Sequence, residues 1–333
     1  MFKRLALSML VIALVLGSGF AAFASWNKSY QGIPEDIIRD MCFINENKGW
    51  AVGTGGTLFT TNDGGAKWEK VEIEEVKESD MFVDLWSVFF LDDKNGWICG
   101  DLLRGSGVIL STQDGGKKWD RQSSGSPSAL YSIFFVDKNT GWASGGNGTI
   151  LGTSTGGSKW APLVTGKAGA AIGEGDPGFA DIQFLTPQKG WIAGDNGTIK
   201  MSIDGGKTWT PQTCGTDSNL SALKFVNENV GWAVGEGGAI VSTTDGGKTW
   251  TANKTTGTTD WMYDVDFVNE QDGFIVGEFS TLLHTSDGGK TWKQGAIKKQ
   301  KGFENLEFDA VACPKLGFAY AGGGMGTIIK YTP

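Results

Sequence analysis

A glycine followed by an aromatic residue recurs at Gly49-Trp50, Gly96-Trp97, Gly141-Trp142, Gly190-Trp191, Gly231-Trp232, Gly273-Phe274 and Gly317-Phe318, at intervals of 41 to 49 residues. A unit of that length cannot bury its own apolar surface, so neighbouring copies must stack, and this period is that of propeller blades. Within a copy, short segments such as Leu85-Trp86-Ser87-Val88-Phe89-Phe90 and Gly197-Thr198-Ile199-Lys200 alternate with glycine pairs. Four short strands per repeat are expected. With 52 Gly and 14 Trp in 333 residues, the chain has many turns and the large side chains to fill an interior.

A second motif comes after each pair except the last. It reads Thr61-Asn62-Asp63-Gly64-Gly65-Ala66-Lys67-Trp68 in the first copy and ends at Trp119, Trp160, Trp209, Trp250 and Trp292 in the others. Its aspartates, Asp63, Asp114, Asp204, Asp245 and Asp287, head a turn whose succeeding amides can donate to a carboxylate, and the two glycines supply positive φ. The third copy has Thr155 instead, and a looser turn is expected there. A residue needed six times serves structure, so these side chains are read as turn and core elements with no catalytic role.

These segments resemble the Asp-box, or BNR repeat, of sialidases, sortilin-type receptors, some glycoside hydrolases and the photosystem II stability/assembly factor family. The resemblance spans residues 25–333 and implies an all-β, seven-bladed β-propeller in one domain. The seventh copy stops at Gly326-Thr327-Ile328-Ile329-Lys330-Tyr331 without a box, and Ser25-Trp26-Asn27-Lys28 resembles the segment that a box leads into, such as Thr208-Trp209-Thr210-Pro211. The N-terminal strand should therefore complete the last blade and protect its edge.

Lys3 and Arg4 precede an apolar stretch, Leu5 to Ala24, ending in Ala22-Phe23-Ala24. That is the pattern of a cleaved signal peptide over residues 1–24, and it places the protein in the periplasm, the medium or, in a phototroph, the thylakoid lumen. No cysteine ends the run, so no lipid anchor is expected, and no later stretch is long enough to span a bilayer. The exported chain keeps 27 basic against 37 acidic residues, which argues against nucleic acid as a partner. Cys42 and Cys313 lie in equivalent strands of the first and last repeats but on opposite strand faces; Cys99 fills a slot that other repeats give to small residues, and Cys214 is the fourth cysteine.

The inventory for catalysis is thin. His284 is the single histidine, and the exported chain has only Arg39, Arg104 and Arg121. Sialidases resembling this fold clamp a carboxylate with three arginines, and nothing in the spacing of the acidic residues singles out a glycosidase pair. One inner-strand slot holds Asp40, Ser87, Ser132, Asp181, Ala222, Asp264 and Ala310; its three carboxylates form a candidate cation site in the central funnel, or ties between blades. The resemblance implies a monomeric, cofactor-free, non-enzymatic scaffold that binds an exported or membrane-bound protein through its loop faces. A saccharide- or cation-binding propeller or a sialidase-like hydrolase is the alternative. Elaborated loops at Glu69–Asp84, Asp101–Gly107 and Leu163–Asp181 offer contact surface. The family's arginine-rich contact patch has no counterpart here, which points to a partner other than the photosystem.

Overall fold

The computed structural model describes residues 25–32, 36–77, 83–102, 105–163, 177–253, 256–297 and 305–332. The expected signal peptide, residues 164–176 of the Leu163–Asp181 loop and Arg104 lie outside these residues. Seven antiparallel four-stranded sheets form, six of them from consecutive strands. The seventh takes Phe308–Lys315, Phe318–Gly323 and Thr327–Thr332 and closes with Ser25–Gln31. Trp26 pairs with Tyr331 and Asn27 with Lys330, which sets Trp26 in the register that Trp68 holds one residue before the outer strand of blade one. The expectation that the chain's two ends share a blade is met.

The core is not one mass. Seven apolar clusters each join two consecutive blades, and the one containing Ile38, Met41, Tyr320 and Ile328 joins the last blade to the first. The repeated glycine-aromatic pair builds these seams. In the first six blades the phenylalanine ending the inner strand lies over the glycine of its own blade: a Cβ on Gly49 would meet the Phe43 ring at 2.6 Å, and one on Gly190 would meet Phe184 at 2.5 Å. The tryptophan beside it faces the next blade. Trp50 stacks on Phe90 with centroids 3.4 Å apart, Trp97 on Phe135 at 3.6 Å, and Trp191 on Phe225 at 3.8 Å. Each indole N–H then donates to a box carbonyl across the seam, as from Trp50 to Gly115 at 3.3 Å and Trp142 to Gly205 at 3.0 Å. The box tryptophan closes the unit edge-on, as Trp119 does against Phe90 at 5.8 Å.

One repeat departs from the spacing. In the last blade Tyr320, and not Phe318, pairs opposite Ala312 where Trp50 pairs opposite Cys42. Tyr320 stacks on Phe43 at 4.4 Å and its hydroxyl donates to the Gly64 carbonyl, the same two contacts an indole makes. Cys313 follows Ala312 where Phe43 follows Cys42, so no ring demands a glycine beside Tyr320, and Ala319 stands there. Gly317, at φ 73°, belongs to the preceding turn.

The box turns match the sequence mechanism. The Asp245 carboxylate accepts the Thr249 N–H at 2.9 Å and hydroxyl at 2.6 Å, while the Thr243 hydroxyl accepts the buried Gly247 N–H at 2.8 Å. Blade three does not have the looser turn expected of it. There the Thr155 hydroxyl accepts the Lys159 N–H at 3.0 Å, and the Thr153 hydroxyl accepts Gly157 N–H at 3.0 Å. All four cysteines are free thiols.

Candidate functional site

Strand direction sorts the loops into two faces. Connections from an outer strand to the next inner strand, and from second to third strands, lie at one end of the channel. The boxes and the connections between inner and second strands lie at the other, tied together by bonds such as Gly64 N–H to Asn47 carbonyl at 2.9 Å and Gly246 N–H to Asn229 carbonyl at 2.8 Å. The five box aspartates and six box tryptophans therefore belong to the face opposite all three elaborated loops. Those loops share the face where the inner strands begin.

A β-bulge interrupts the pairing near the start of every inner strand, for example between Ile38 and Asp40 and between Phe308 and Ala310. The bulge turns two successive residues toward the channel, so the channel carries one more ring of side chains than strict alternation provides. A cavity of about 380 Å³ runs through these rings.

The middle ring is the aspartate slot. Asp40 accepts the N–H of Met41 at 2.7 Å and of Val88 in the next blade at 2.8 Å. Asp181 accepts Ile182 and Leu223 at 2.8 and 2.9 Å, and Asp264 accepts Val265 and Val311 at 2.7 Å each. Ser87 and Ser132 reach forward more weakly, each accepting the next blade's N–H at 3.4 Å. Among the described residues no three His, Cys, Asp or Glu side chains gather closely enough to hold a metal ion. A built-in cation lies one ring further along: the Lys224 ammonium is 2.7 Å from Asp266. Burial opposes its charge, and the Asp266 carboxylate more than offsets this, holding the ammonium above its ordinary value.

Burial pushes the Asp40 carboxyl up to about 7 and raises Asp181 and Asp264 as well. The box aspartates move the other way: hydrogen bonds from Thr249 and Thr291 hold Asp245 and Asp287 at about 2. The two sets have opposite linkage. Between pH of about 4 and 7 the folded chain keeps a proton on Asp40 that the unfolded chain releases, so this contribution to stability falls as pH rises. The box contribution is complete above about pH 4 and is lost as pH falls toward 2. Urea midpoints at pH 4.5 and 7.5 should therefore differ by less in Asp40→Asn than in the parent chain; an unchanged difference would contradict the assignment.

The ring at the mouth, formed by the bulged residues, is the part that alternation hides. Arg39 donates to Asp309 at 2.6 Å and lies over the Trp86 ring at 4.6 Å. Burial pushes the Asp309 carboxyl up to about 6 although Arg39 pulls it down. Tyr131 stands edge-on to Trp86 at 5.6 Å, and the Trp261 indole donates to Ser221 at 2.7 Å. Comparing the residue one place before the aspartate slot across the repeats would have found this ring. The described arginines, Arg39 and Arg121, do not form a clamp: Arg121 is exposed on the outer strand of blade two. His284 is packed flat against Phe274 and bonded to Asp272 at 3.3 Å, away from this ring.

Phe279, on the same face, is 64% exposed and has φ 50°, where sibling loops place Gly55 and Gly237 at φ 63° and 66° and Asn147, Asn196 and Met325 at 53°, 55° and 56°. Left-handed backbone costs a non-glycine residue about 1 kcal/mol. Phe279→Gly should raise the stability measured by urea denaturation by about that amount; a loss would show the ring to be part of the fold.

The profile described as "Photosynthesis system II assembly factor YCF48" matches residues 20–170, 173–256 and 253–315. The chain belongs to the photosystem II assembly factor YCF48 family. It is 32% identical over 101 residues to the chloroplastic photosystem II stability/assembly factor HCF136 of Arabidopsis thaliana, covering 29% of this chain and 24% of the relative. To the photosystem II assembly lipoprotein Ycf48 of Synechococcus sp. (strain RCC307) it is 34% identical over 74 residues, covering 20% of this chain and 22% of the relative. These alignments thus span about a quarter of the relatives' length. A solved YCF48 bound to D1 peptide superposes with a TM-score of 0.72 at 22% identity, over 93% of this chain and 95% of that one. A GH74 enzyme from Niastella koreensis shares the fold, with a TM-score of 0.72 at 12% identity over 92% of this chain and 53% of that one.

Proposed function

We propose that the chain, as one exported propeller domain, is a non-enzymatic scaffold that binds a protein partner through its loop faces, as an assembly factor does. The observation that carries this reading is the division of labour between residues in a YCF48-family chain. The repeated side chains are consumed by seams and turns, while the variable ones and all three loop elaborations collect on one face. The bound D1 peptide of the solved YCF48 gives a precedent for a protein ligand on this fold. With Arg39 paired to Asp309 and Arg121 on an outer strand, no basic patch is built from the described arginines, so the partner read here is an exported or membrane-bound protein other than a photosystem subunit. Among the described residues no helix is long and apolar enough to cross a membrane.

The ring aspartates fit the role of ties between blades, with Lys224 supplying their counter-charge, better than that of a metal site. Metal analysis of the purified protein should find no stoichiometric cation. Affinity capture from the native envelope should recover one protein partner in stoichiometric amount. Recovery of none, together with binding on a saccharide array, would favour the sugar-binding reading.

A further inference from the structure

The face bearing the elaborated loops has an uneven charge. Among the described residues of its connections Lys77 is the one basic residue, whereas Asp195, Asp217, Glu236, Asp260, Glu278 and Glu307 are spread over several blades. The stretches of these connections outside the described residues carry acidic and basic residues in equal number, so they do not offset the difference. The box face pairs each aspartate with a lysine of its own turn, as in Asp245 and Lys248, and is balanced.

Acidity alone specifies nothing, but the mouth at the centre of this face is a built pocket. Three rings line it, Trp86, Tyr131 and Tyr263, with Trp261 5.9 Å from Tyr263. Burial raises the Tyr263 phenol, and the charges of Glu307, Glu278 and Asp309 raise it further. The chain's own Arg39 shows what the pocket accepts, a cation stacked on an indole and bonded to a carboxylate. That carboxylate is left half-used: Asp309 lines the cavity with its side chain 8% exposed, and its Oδ2 has no hydrogen-bond partner among the described residues. A second cation reaching this oxygen would complete it. Phe279 projects an apolar ring beside Glu278 on the same rim, 64% exposed.

We propose that this mouth is a docking site for a basic, lysine- or arginine-bearing segment of the protein partner, its cationic side chain set among the rings and carboxylates and its apolar neighbours against Phe279. The inference rests on the protein-partner reading and adds the face and the charge of the ligand.

The test uses the exported chain and two decapeptides, one alternating lysine with leucine and one alternating glutamate with leucine. The lysine peptide should quench tryptophan emission and bind at least tenfold more tightly, with affinity falling as salt rises. Glu278→Gln combined with Glu307→Gln should weaken it about tenfold, whereas Glu270→Gln on the box face should leave it unchanged. Phe279→Gly, which keeps the fold, should weaken it several-fold. Equal binding of both peptides, or loss only with Glu270→Gln, overturns the proposal. A photoreactive residue separates this from the broader reading. Envelope crosslinks to a protein from position 279 support the mouth; crosslinks from exposed Ile203 on the box face alone retain a partner and discard this site; crosslinks from neither remove both.

Discussion

Trp26→Ala should destabilise the protein by about 3–5 kcal/mol, the cost of emptying a fully buried indole site. Trp26 has no exposed surface, meets Phe274 edge-on at 5.8 Å and Tyr331 at 5.4 Å, and lies in the cluster joining blades six and seven. This seam is already irregular. Phe274 cannot donate the hydrogen bond that the other second-strand aromatics make to a box carbonyl, and it stacks on His284 at 4.3 Å instead. Removing Trp26 also loosens the strand that completes the last sheet, exposing an unpaired edge along Thr327–Thr332. Urea unfolding tracked by tryptophan emission measures the change. A loss under 1 kcal/mol would mean that the ring is held without its first strand.

Gly235→Ala should cost about 3 kcal/mol, at the upper end for overpacking a tight site. The last glycine of each Gly-Trp-x-x-Gly segment faces the carbonyl that precedes its inner strand: a Cβ on Gly235 would lie 2.0 Å from the Asn219 oxygen, and equivalent contacts occur at Gly145 and Gly194. The backbone there is extended, as at the neighbouring Gly277 with φ −178°, so the demand is for space and not for positive φ. Gly215→Ala separates the two causes. Gly215 has φ 78° and nothing within 4 Å of an added Cβ, so only left-handed strain opposes alanine, at about 1 kcal/mol. Equal losses at the two sites would refute the packing argument.

The ring of blades is legible in the sequence because each seam repeats a steric bargain. A ring over a glycine and an indole across to the next blade leave the same two letters at the same period. The same pattern misplaces the last seam. Gly317-Phe318 has the letters without the geometry, while Tyr320 has the geometry without the letters, and the absent phenylalanine at Cys313 is the sequence signal that separates them. A missing aspartate at Thr155 predicts a loosened box turn, whereas the bond needs only an acceptor oxygen at that distance, which the threonine hydroxyl supplies. The mouth is hidden by the bulge. Alternation sends Arg39 and Asp40 to opposite faces of the strand, and one extra residue per inner strand brings both to the channel. The spacing places Asp40, Asp181 and Asp264 in one layer, as the structure does, but their use as bridges to the next blade depends on backbone N–H positions that side-chain spacing does not encode.

Amide hydrogen exchange across residues Trp26 to Lys28 bears most directly on the closed ring. These amides should exchange as slowly as those of the fully buried Ala233 in blade five, through global unfolding and in step with Ile329, because the outer strand of the last blade opens only when the ring does. Exchange at the rate of an exposed loop, with Ile329 still protected, would show a propeller that closes without its first strand and would contradict the account.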